Sequence, residues 1–434
     1  MNVQERFDLI GEVGEEIITE EDLMVLLQDK KNPIAYDGFE PSGKIHIAQG
    51  LLRAINVNKM TKAGCRFKMF VADWHGWANN KMGGDLEKIQ KVGKYFVEVW
   101  RACGMDLDNV EFVWASEILR NDSYWKKVME ISRNSTVQRI LRCGQIMGRK
   151  EGEVQQASQI LYPCMQAADI FELGADICQL GMDQRKVNML ARELGPKLGY
   201  WKPVIVSHHM LMGLGEPPKT KISDIRIRKG EEKEIGEGVH LKVLTLENVF
   251  SIKKGSGSYS PEYTYNLSKN VINFENFKIE YKEKTHDGEF IFVIFETLQS
   301  VERAIAMKMS KSNPDSAIFM NDTEEDIKRK IKKAYCPEKQ VNENPIIEYC
   351  RYVIFERFKE FRIERPEKFG GTVEFASYDE LSSAFANGDI HPLDLKNATA
   401  FYVNELVKPV RDHFEKNSKA KEMLEEVKRM EVTR

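Results

Sequence analysis

The chain has 434 residues, 42% of them hydrophobic and 30% charged, which is the balance of a folded globular protein of two or three domains and excludes a disordered chain. A formal net charge of −3 excludes a global basic field as the route to a nucleic-acid partner, so binding of that kind needs local patches. Seven scattered cysteines with no C-x-x-C pair argue against a disulfide framework and a zinc site, and fit a reducing cytosol.

From the N-terminus, MNVQERFDLIGEVGEEI has no apolar h-region, and no apolar run in the chain reaches the ~20 residues of a membrane span. The expectation is a cytoplasmic protein without membrane contact. Residues 3–30 read as helical, with Thr19 and Asp22 as a capping pair ahead of Leu23, Leu26 and Leu27. IAYDGF (34–39) reads as a buried strand that breaks at PSG, followed by a helix ending at Gly64. A second strand (FKMFVAD, 67–73), a helix near 85–103 and a third strand (EFVWAS, 111–116) repeat the alternation that builds βαβ units and a parallel sheet. From 122 to 200 the pattern is mostly helical. Residues 217–306 then change character, with charged and Gly/Ser-containing pieces between strand-like runs such as VHLKVLTL and EFIFVIFE. From 323 onward helical patterning returns, with the basic run KRKIKK (328–333) and a highly charged tail.

Two short stretches carry phosphate chemistry. FEPSGKIHIAQ (39–49) follows the first strand and opens a helix, an arrangement that aims backbone N–H groups at an anion. His46 and Gln49 lie one helical turn apart and can both donate to a phosphate as its charge develops. A Ser-Gly turn with a capping histidine is the structural alternative. The second stretch, MKMSKSNP (307–314), puts Lys308 and Lys311 three residues apart around Met309 and Ser310. A solvated lysine loop is the alternative there.

A third stretch, ILYPCMQAADIFELGADICQLGMDQRK, begins with Pro163 in what reads as a helix first turn. Tyr162, Gln166 and Asp169 then share one face, and a polar face in an apolar setting needs partners. His75, in ADWHGW, either lines the same pocket or is structural.

An H-x-x-H-like site after the first strand together with a distant K-M-S-K-S loop resembles the paired signature of class I aminoacyl-tRNA synthetases. Y-P-x-M-Q-x-x-D followed by G-M-D-Q-R-K, with AYDGFEPSGKIHIAQG, KKAYCP, RPEKFGG and HPLDLKNA, is similar to tyrosyl-tRNA synthetases of the archaeal and eukaryotic type, from about residue 33 to about 410 with the 217–306 insertion set aside. Departures are Gln49 and Ala48 in the first signature, and Leu180 where a glycine is expected before GMDQ.

The resemblance implies an α/β fold: a Rossmann-like parallel-sheet nucleotide-binding domain, a C-terminal α-helical anticodon-binding domain and a β-rich insertion. It divides the chain into a helical segment (1–33), a catalytic domain (34–216), the insertion (217–306), the lysine loop (307–322), and an anticodon-binding domain with tail (323–434). It implies that Tyr36 and Asp169 grip a tyrosine phenol, while Tyr162, Gln166 and Gln184 hold the ammonium and carboxylate end. His46, Gln49, Lys308 and Lys311 would carry catalysis. Gly38, His46, Asp183, Lys308, Met309, Ser310 and Lys311 would bind ATP, with Mg2+ accompanying it and no metal held by the protein itself. Phe369 and Asp394 would read the anticodon, with a core phenylalanine and an N-cap as the structural alternatives. The implied partners are tRNA(Tyr), L-tyrosine, ATP and a second copy of the chain. A tryptophanyl-tRNA synthetase is the nearest rival, a non-catalytic tRNA-binding relative the second, and a general nucleotidyltransferase the third. An indole has no use for both Tyr36 and Asp169, and a binding protein has no use for the lysines.

Overall fold

The structure is a computed structural model that describes residues 1–144, 156–218, 221–236, 239–244, 249–254, 262–266, 271–274, 277–296, 303, 306–309 and 313–430. Residues 3–30 are not one helical stretch. Helices Val3–Gly11 and Glu20–Asp29 flank a strand, β1 (Gly14–Ile18). Helix Glu20–Asp29 is capped by Thr19, which accepts from the Asp22 amide at 3.1 Å, and it buries Leu23 and Leu27. Strand β1 has no strong alternation of its own; it forms because a partner strand far along the chain supplies its hydrogen bonds.

That partner closes a six-stranded sheet. Strands β2 (Ile34–Phe39), β3 (Arg66–Val71), β4 (Val110–Trp114), β5 (Ile177–Cys178) and β6 (Val204–His208) run parallel in the order β6-β5-β2-β3-β4, and β1 adds antiparallel to β6 at the edge. Helices Arg53–Lys62, Leu86–Ala102, Ala157–Glu172 and Arg185–Leu194 lie in the connections. The order reverses between β2 and its neighbours β3 and β5. In such a sheet the crevice outside the carboxyl ends of those strands is where a ligand fits.

Three further expectations are corrected. The region 122–200 contains β5, two residues long and fully buried, which a helical reading cannot see. Pro163 is not in a first turn: the helix begins at Ala157 under a Gln156 cap, and Pro163 sits seven residues in. From 323 onward the chain is helical with an interruption, since β15 (Phe361–Ile363) and β16 (Val373–Phe375) form a small antiparallel pair. Within the KRKIKK run, Lys330 is buried on helix Glu324–Lys333 and donates to Asp322 at 2.6 Å and to the Ala317 carbonyl at 2.9 Å.

The C-terminal helices and the sheet share one hydrophobic core, in which Val99 and Trp100 belong to the same cluster as Leu395, Val403 and Val407. Each large side chain buried there contributes about 1.5–3 kcal/mol of transfer free energy. The tail is docked as well: Asn417 caps helix Ser418–Arg429, whose Ala420, Leu424 and Val427 bury beside helix Leu86–Ala102.

Residues 1–216 and 307–434 form one unit, and 217–306 form another. The second unit has two four-stranded antiparallel sheets. One has the order β11-β10-β9-β8, from β8 (Glu232–Gly236), β9 (Val239–Val243), β10 (Val249–Lys254) and β11 (Glu262–Asn266). The other has the order β12-β13-β14-β7, from β7 (Lys221–Arg228), β12 (Val271–Phe274), β13 (Phe277–Lys284) and β14 (Glu289–Glu296). VHLKV buries Val239, Leu241 and Val243 with period two, and these join Phe250 and Phe292 in a core of the unit's own.

Candidate active site

The pocket floor is built where β2 ends and helix Ala157–Glu172 passes. Tyr36, third residue of β2, is 1% exposed, and Asp169 on the helix is equally buried. Burial pushes the Tyr36 phenol well above its usual range, helped by Cys178 and Asp169. Asp169 is held from two sides, by Tyr124, which the sequence reading did not single out, and by His75, which it left between pocket and structure. Tyr124, on helix Asp122–Arg133, donates to its Oδ1 at 2.8 Å. His75 Nε2 lies 2.9 Å from Oδ2, close enough for an ion pair though off the line of a hydrogen bond. Burial lowers the His75 imidazole, but Asp169 together with the Glu40 and Asp73 charges outweighs it and the net shift is upward. His75 is therefore part of this pocket. Two oxygens with about four lone-pair sites still leave Asp169 room for another donor.

Above the floor, Tyr162 sets its ring edge-on to His75 at 5.1 Å, and Gln166 donates through Nε2 to Gln184 Oε1 at 2.9 Å. The five residues assigned to a tyrosine ligand thus come from three segments: β2, helix Ala157–Glu172 and the turn Met182–Gln184. Leu180, the departure from the glycine pattern, is 2% exposed and belongs to the core beneath.

Backbone pairing assembles the nucleotide end. Ile47 N–H donates to Ile318 at 2.8 Å and Met320 N–H to Ile45 at 3.0 Å, so the segment after the lysine loop runs against the His46 signature. A Cβ at Gly50 would meet Met320 Cγ at 2.6 Å, so only glycine lets the two segments approach this closely. The first turn, Ala48–Leu52, is a π-turn. His46 precedes it, bridged to Phe319, and its carbonyl accepts from both Gln49 and Gly50. The Gly50 bond to the His46 carbonyl closes an ordinary four-residue turn, so His46 and Gln49 stand one turn apart. The wider bond, Leu52 N–H to Ile47 at 3.0 Å, follows directly. Insertions of this kind cluster at functional sites.

Lys308 reaches back to the pocket, its Nζ 3.0 Å from Asp183 Oδ2. Met309 turns the other way: it is 5% exposed in the core, and Tyr349 Oη donates to its sulfur at 3.9 Å. Its side chain is therefore turned away from Asp183 and Lys308. Ser310 and Lys311 lie outside the described residues. At Gly38 an added Cβ would make ordinary contacts with Phe70 and Tyr36, so the protein itself does not demand glycine there.

A buried polar network that the sequence reading missed lies below. Arg53 pairs with Asp37 and approaches His208 Nε2 at 3.2 Å, and Gln179 Nε2 lies 2.6 Å from His208 Nδ1. Burial raises the Asp37 carboxyl to about 7 against the pull of Arg53, while burial and the Arg53 charge hold His208 well below its usual range. Asp37 lies in β2, Gln179 just after β5 and His208 at the end of β6, while Arg53 reaches them from the start of helix Arg53–Lys62. With no strand assigned at 204–208, nothing in the sequence placed them together.

Phe369 is 60% exposed on a short turn between β15 and β16, with the Lys368 amine 4.9 Å above its ring. It is not a core residue. Asp394 is in the first turn of helix Pro392–Lys416, whose N-cap is His391, so Asp394 is not the cap. Among the described residues, neither has a hydrogen bond or ion pair with the pocket.

Residues 28–224 and 280–408 match the family described as tRNA synthetases class I (W and Y). "Tyrosine--tRNA ligase 1, cytoplasmic" of Arabidopsis thaliana is 43% identical over 435 residues, covering 100% of this chain and 90% of that protein. The tyrosyl-tRNA synthetase of Pyrococcus horikoshii, solved with L-tyrosine, superposes at TM-score 0.75 with 35% identity, covering 98% of this chain and all of the other. The Leishmania major enzyme, solved with tyrosinol, gives TM-score 0.74 and 39% identity over 99% of this chain but only 52% of its own.

The chain belongs to the class I tRNA synthetases.

A tryptophanyl-tRNA synthetase from Aeropyrum pernix K1 matches at 14% identity and TM-score 0.56, which shows a shared fold and nothing further. In this synthetase the sheet architecture is thus shared across both branches of the family.

Proposed function

We infer that this chain is a tyrosine–tRNA ligase. The observation that carries the reading is Asp169, a carboxylate 1% exposed and already braced by Tyr124 and His75, facing the same pocket as Tyr36. A phenol needs an acceptor and a donor at the end of its slot, and this pair supplies both. The handedness of the choice is energetic: a site built to bond a hydroxyl leaves buried groups unpaired when phenylalanine enters, and the general figure for tyrosine over phenylalanine in such enzymes is about 10⁵.

The reaction has two displacements. The tyrosine carboxylate oxygen attacks the α-phosphorus of ATP; the bond to the bridging oxygen breaks and pyrophosphate leaves with its electron pair. A ribose hydroxyl at the tRNA 3′ end then attacks the tyrosyl carbonyl, and AMP leaves. No side chain forms a covalent intermediate, so the protein contributes position and charge. Tyr162, Gln166 and Gln184 orient the ammonium and carboxylate, and Asp183 accepts from the ribose. Gly38 gives the nucleotide backbone access, and His46 and Gln49 donate to phosphate. Lys308 and Lys311, with the Met309 and Ser310 backbone, meet the leaving pyrophosphate as point charges. Mg2+ would travel with the triphosphate and neutralise part of its charge. Among the described residues no three His, Cys, Asp or Glu side chains converge on a metal, and no step is routed through one.

Phe369 and its neighbour Lys368 suit stacking on an unpaired base, worth about 1–3 kcal/mol, and Asp394 suits its edge. Trp125, Met129 and Val137, exposed at 36%, 57% and 65% on adjacent helices, offer an apolar face for a second copy of the chain. No helix among the described residues is long and apolar enough to cross a membrane. The Arabidopsis relative carries "cytoplasmic" in its name, and the same compartment is assigned here.

The test is amino-acid-dependent ATP–pyrophosphate exchange without tRNA, with tyrosine, phenylalanine and tryptophan supplied separately. Exchange with tyrosine alone supports the reading. Exchange with tryptophan instead overturns the pocket assignment, and no exchange with any of the three overturns the enzyme.

A further inference from the structure

The chain leaves β6 through His209, Met210 and Leu211 and then pairs with the start of the lysine loop. Gly213 N–H donates to Met307 at 2.9 Å, Met309 N–H to Leu211 at 3.4 Å, and Met212 forms a β-bridge with Lys308. Lys308 therefore projects from a two-stranded ribbon whose other strand is Leu211–Gly213.

One short helix, Pro345–Tyr349, touches both strands of that ribbon. Glu348 Oε2 accepts from the Met212 amide at 3.0 Å, and Tyr349 Oη donates to Met309 Sδ. The Glu348 carboxylate is in turn fixed by His209, whose Nε2 lies 3.1 Å from Oε2 and whose Nδ1 lies 3.2 Å from Glu15 Oε2 on β1. The imidazole ring stacks on Tyr352 at 4.1 Å with only 14° between planes, and the Arg351 guanidinium lies over the Tyr352 ring at 5.0 Å. Asn344, wholly buried, anchors the helix by accepting from the Ile346 and Ile347 amides while donating to Gln340.

We propose that His209 and Glu348 are positioning residues for the lysine loop: clamped between Glu15 and Glu348, His209 holds the Glu348 carboxylate on the Met212 amide and so fixes the ribbon from which Lys308 reaches the nucleotide. Tyr349 grips the opposite strand from the same helix. Neither His209 nor Glu348 touches substrate. Their effect passes through backbone hydrogen bonds to the residue that does, and a misplacement of about 1 Å at such a distance can cost a large factor in rate. The inference rests on the adenylation reading above.

A protonation signature goes with it. Burial would lower the His209 imidazole, but Glu15 and Glu348 outweigh burial and push it up to about 9. Glu15 is lowered in return, mainly by His209 with Arg351 behind it. The charged and titratable groups facing the ring are Glu15, Glu348, Tyr352, Arg351 and the adjacent His208. Because the folded value lies above the usual one, the clamp is fully present below about 6.5 and is lost as pH rises through about 9.

The experiment is ATP–pyrophosphate exchange at saturating tyrosine with E348A, E348Q and H209Q, beside equilibrium tyrosine binding. The expected result is a kcat about tenfold lower in E348A, with tyrosine affinity within about twofold of the natural chain. E348Q, which keeps an acceptor for the Met212 amide, should recover most of that loss. H209Q should lack a decline in kcat near pH 9 that the natural chain shows. Unchanged kcat in E348A overturns the proposal, as does a fall matched by an equal loss of tyrosine affinity. Should E348A fail to fold, H209Q at a side chain 21% exposed carries the same readouts, and its unchanged kcat and pH profile overturn the proposal equally. Exchange by the natural chain tests the function itself, and only the ratio of variant to natural chain tests the clamp.

Discussion

The two ends of the crevice are built in opposite ways. At the tyrosine end, side chains do the work: Tyr36, Asp169, Tyr124 and His75 are each 1% exposed or less, and Tyr124 and His75 brace Asp169. At the nucleotide end, main-chain pairing brings together residues 45–47, 211–214, 307–309 and 318–320, and Lys308 extends from that frame at 37% side-chain exposure. The difference follows from what each end must recognise. Telling one amino acid from another needs groups that cannot relax around the wrong ligand. Offsetting a charge that develops on a departing group needs a cation that can follow it, on a base that cannot drift.

The comparison is broken most directly at its most buried point. Asp169→Ala removes the acceptor and strands Tyr124 and His75, and tyrosine-dependent exchange should fall by about 10³-fold or more. Lys308→Ala attacks the other end, where kcat should drop about 10²-fold while tyrosine affinity measured without ATP stays unchanged. If tyrosine affinity falls too, the two ends are not separable as described. A finer cut is Tyr124→Phe. It deletes one donor to Asp169, so tyrosine should bind about tenfold more weakly with kcat nearly preserved. The smallest effect is expected from the 217–306 unit, whose core is its own. Because Gly213 already bonds to Met307, a short linker can replace that unit, and exchange should stay within about threefold of the natural chain. A larger loss would show that the insertion serves the lysine loop.

Much of the proposed tyrosine end is legible in the sequence. Tyr162, Gln166 and Asp169 fall on one face because a helix repeats every 3.6 residues, and that periodicity survives even with Pro163 inside the helix rather than at its start. The bracing of Asp169 was less visible. Tyr124 precedes it by 45 residues and His75 stands alone in a short helix, so no local pattern joins them. The same limit hid β1 and β5. A strand of five residues with weak alternation, or of two, has little signal of its own and exists through its partners.

Sequence alone determined the alternation of strands and helices and the polar face of helix Ala157–Glu172, since each rests on neighbours within a turn or two. The tertiary structure alone decided that Arg53 would join Asp37 and His208 under the crevice. It also decided that Met309 would turn inward while Lys308 reached Asp183, and that His209 would tie β1 to helix Pro345–Tyr349. Those pairings span up to 194 residues, and no local propensity reaches so far. They form because the sheet order places the ends of distant strands side by side, where buried charges must find one another or go unpaired.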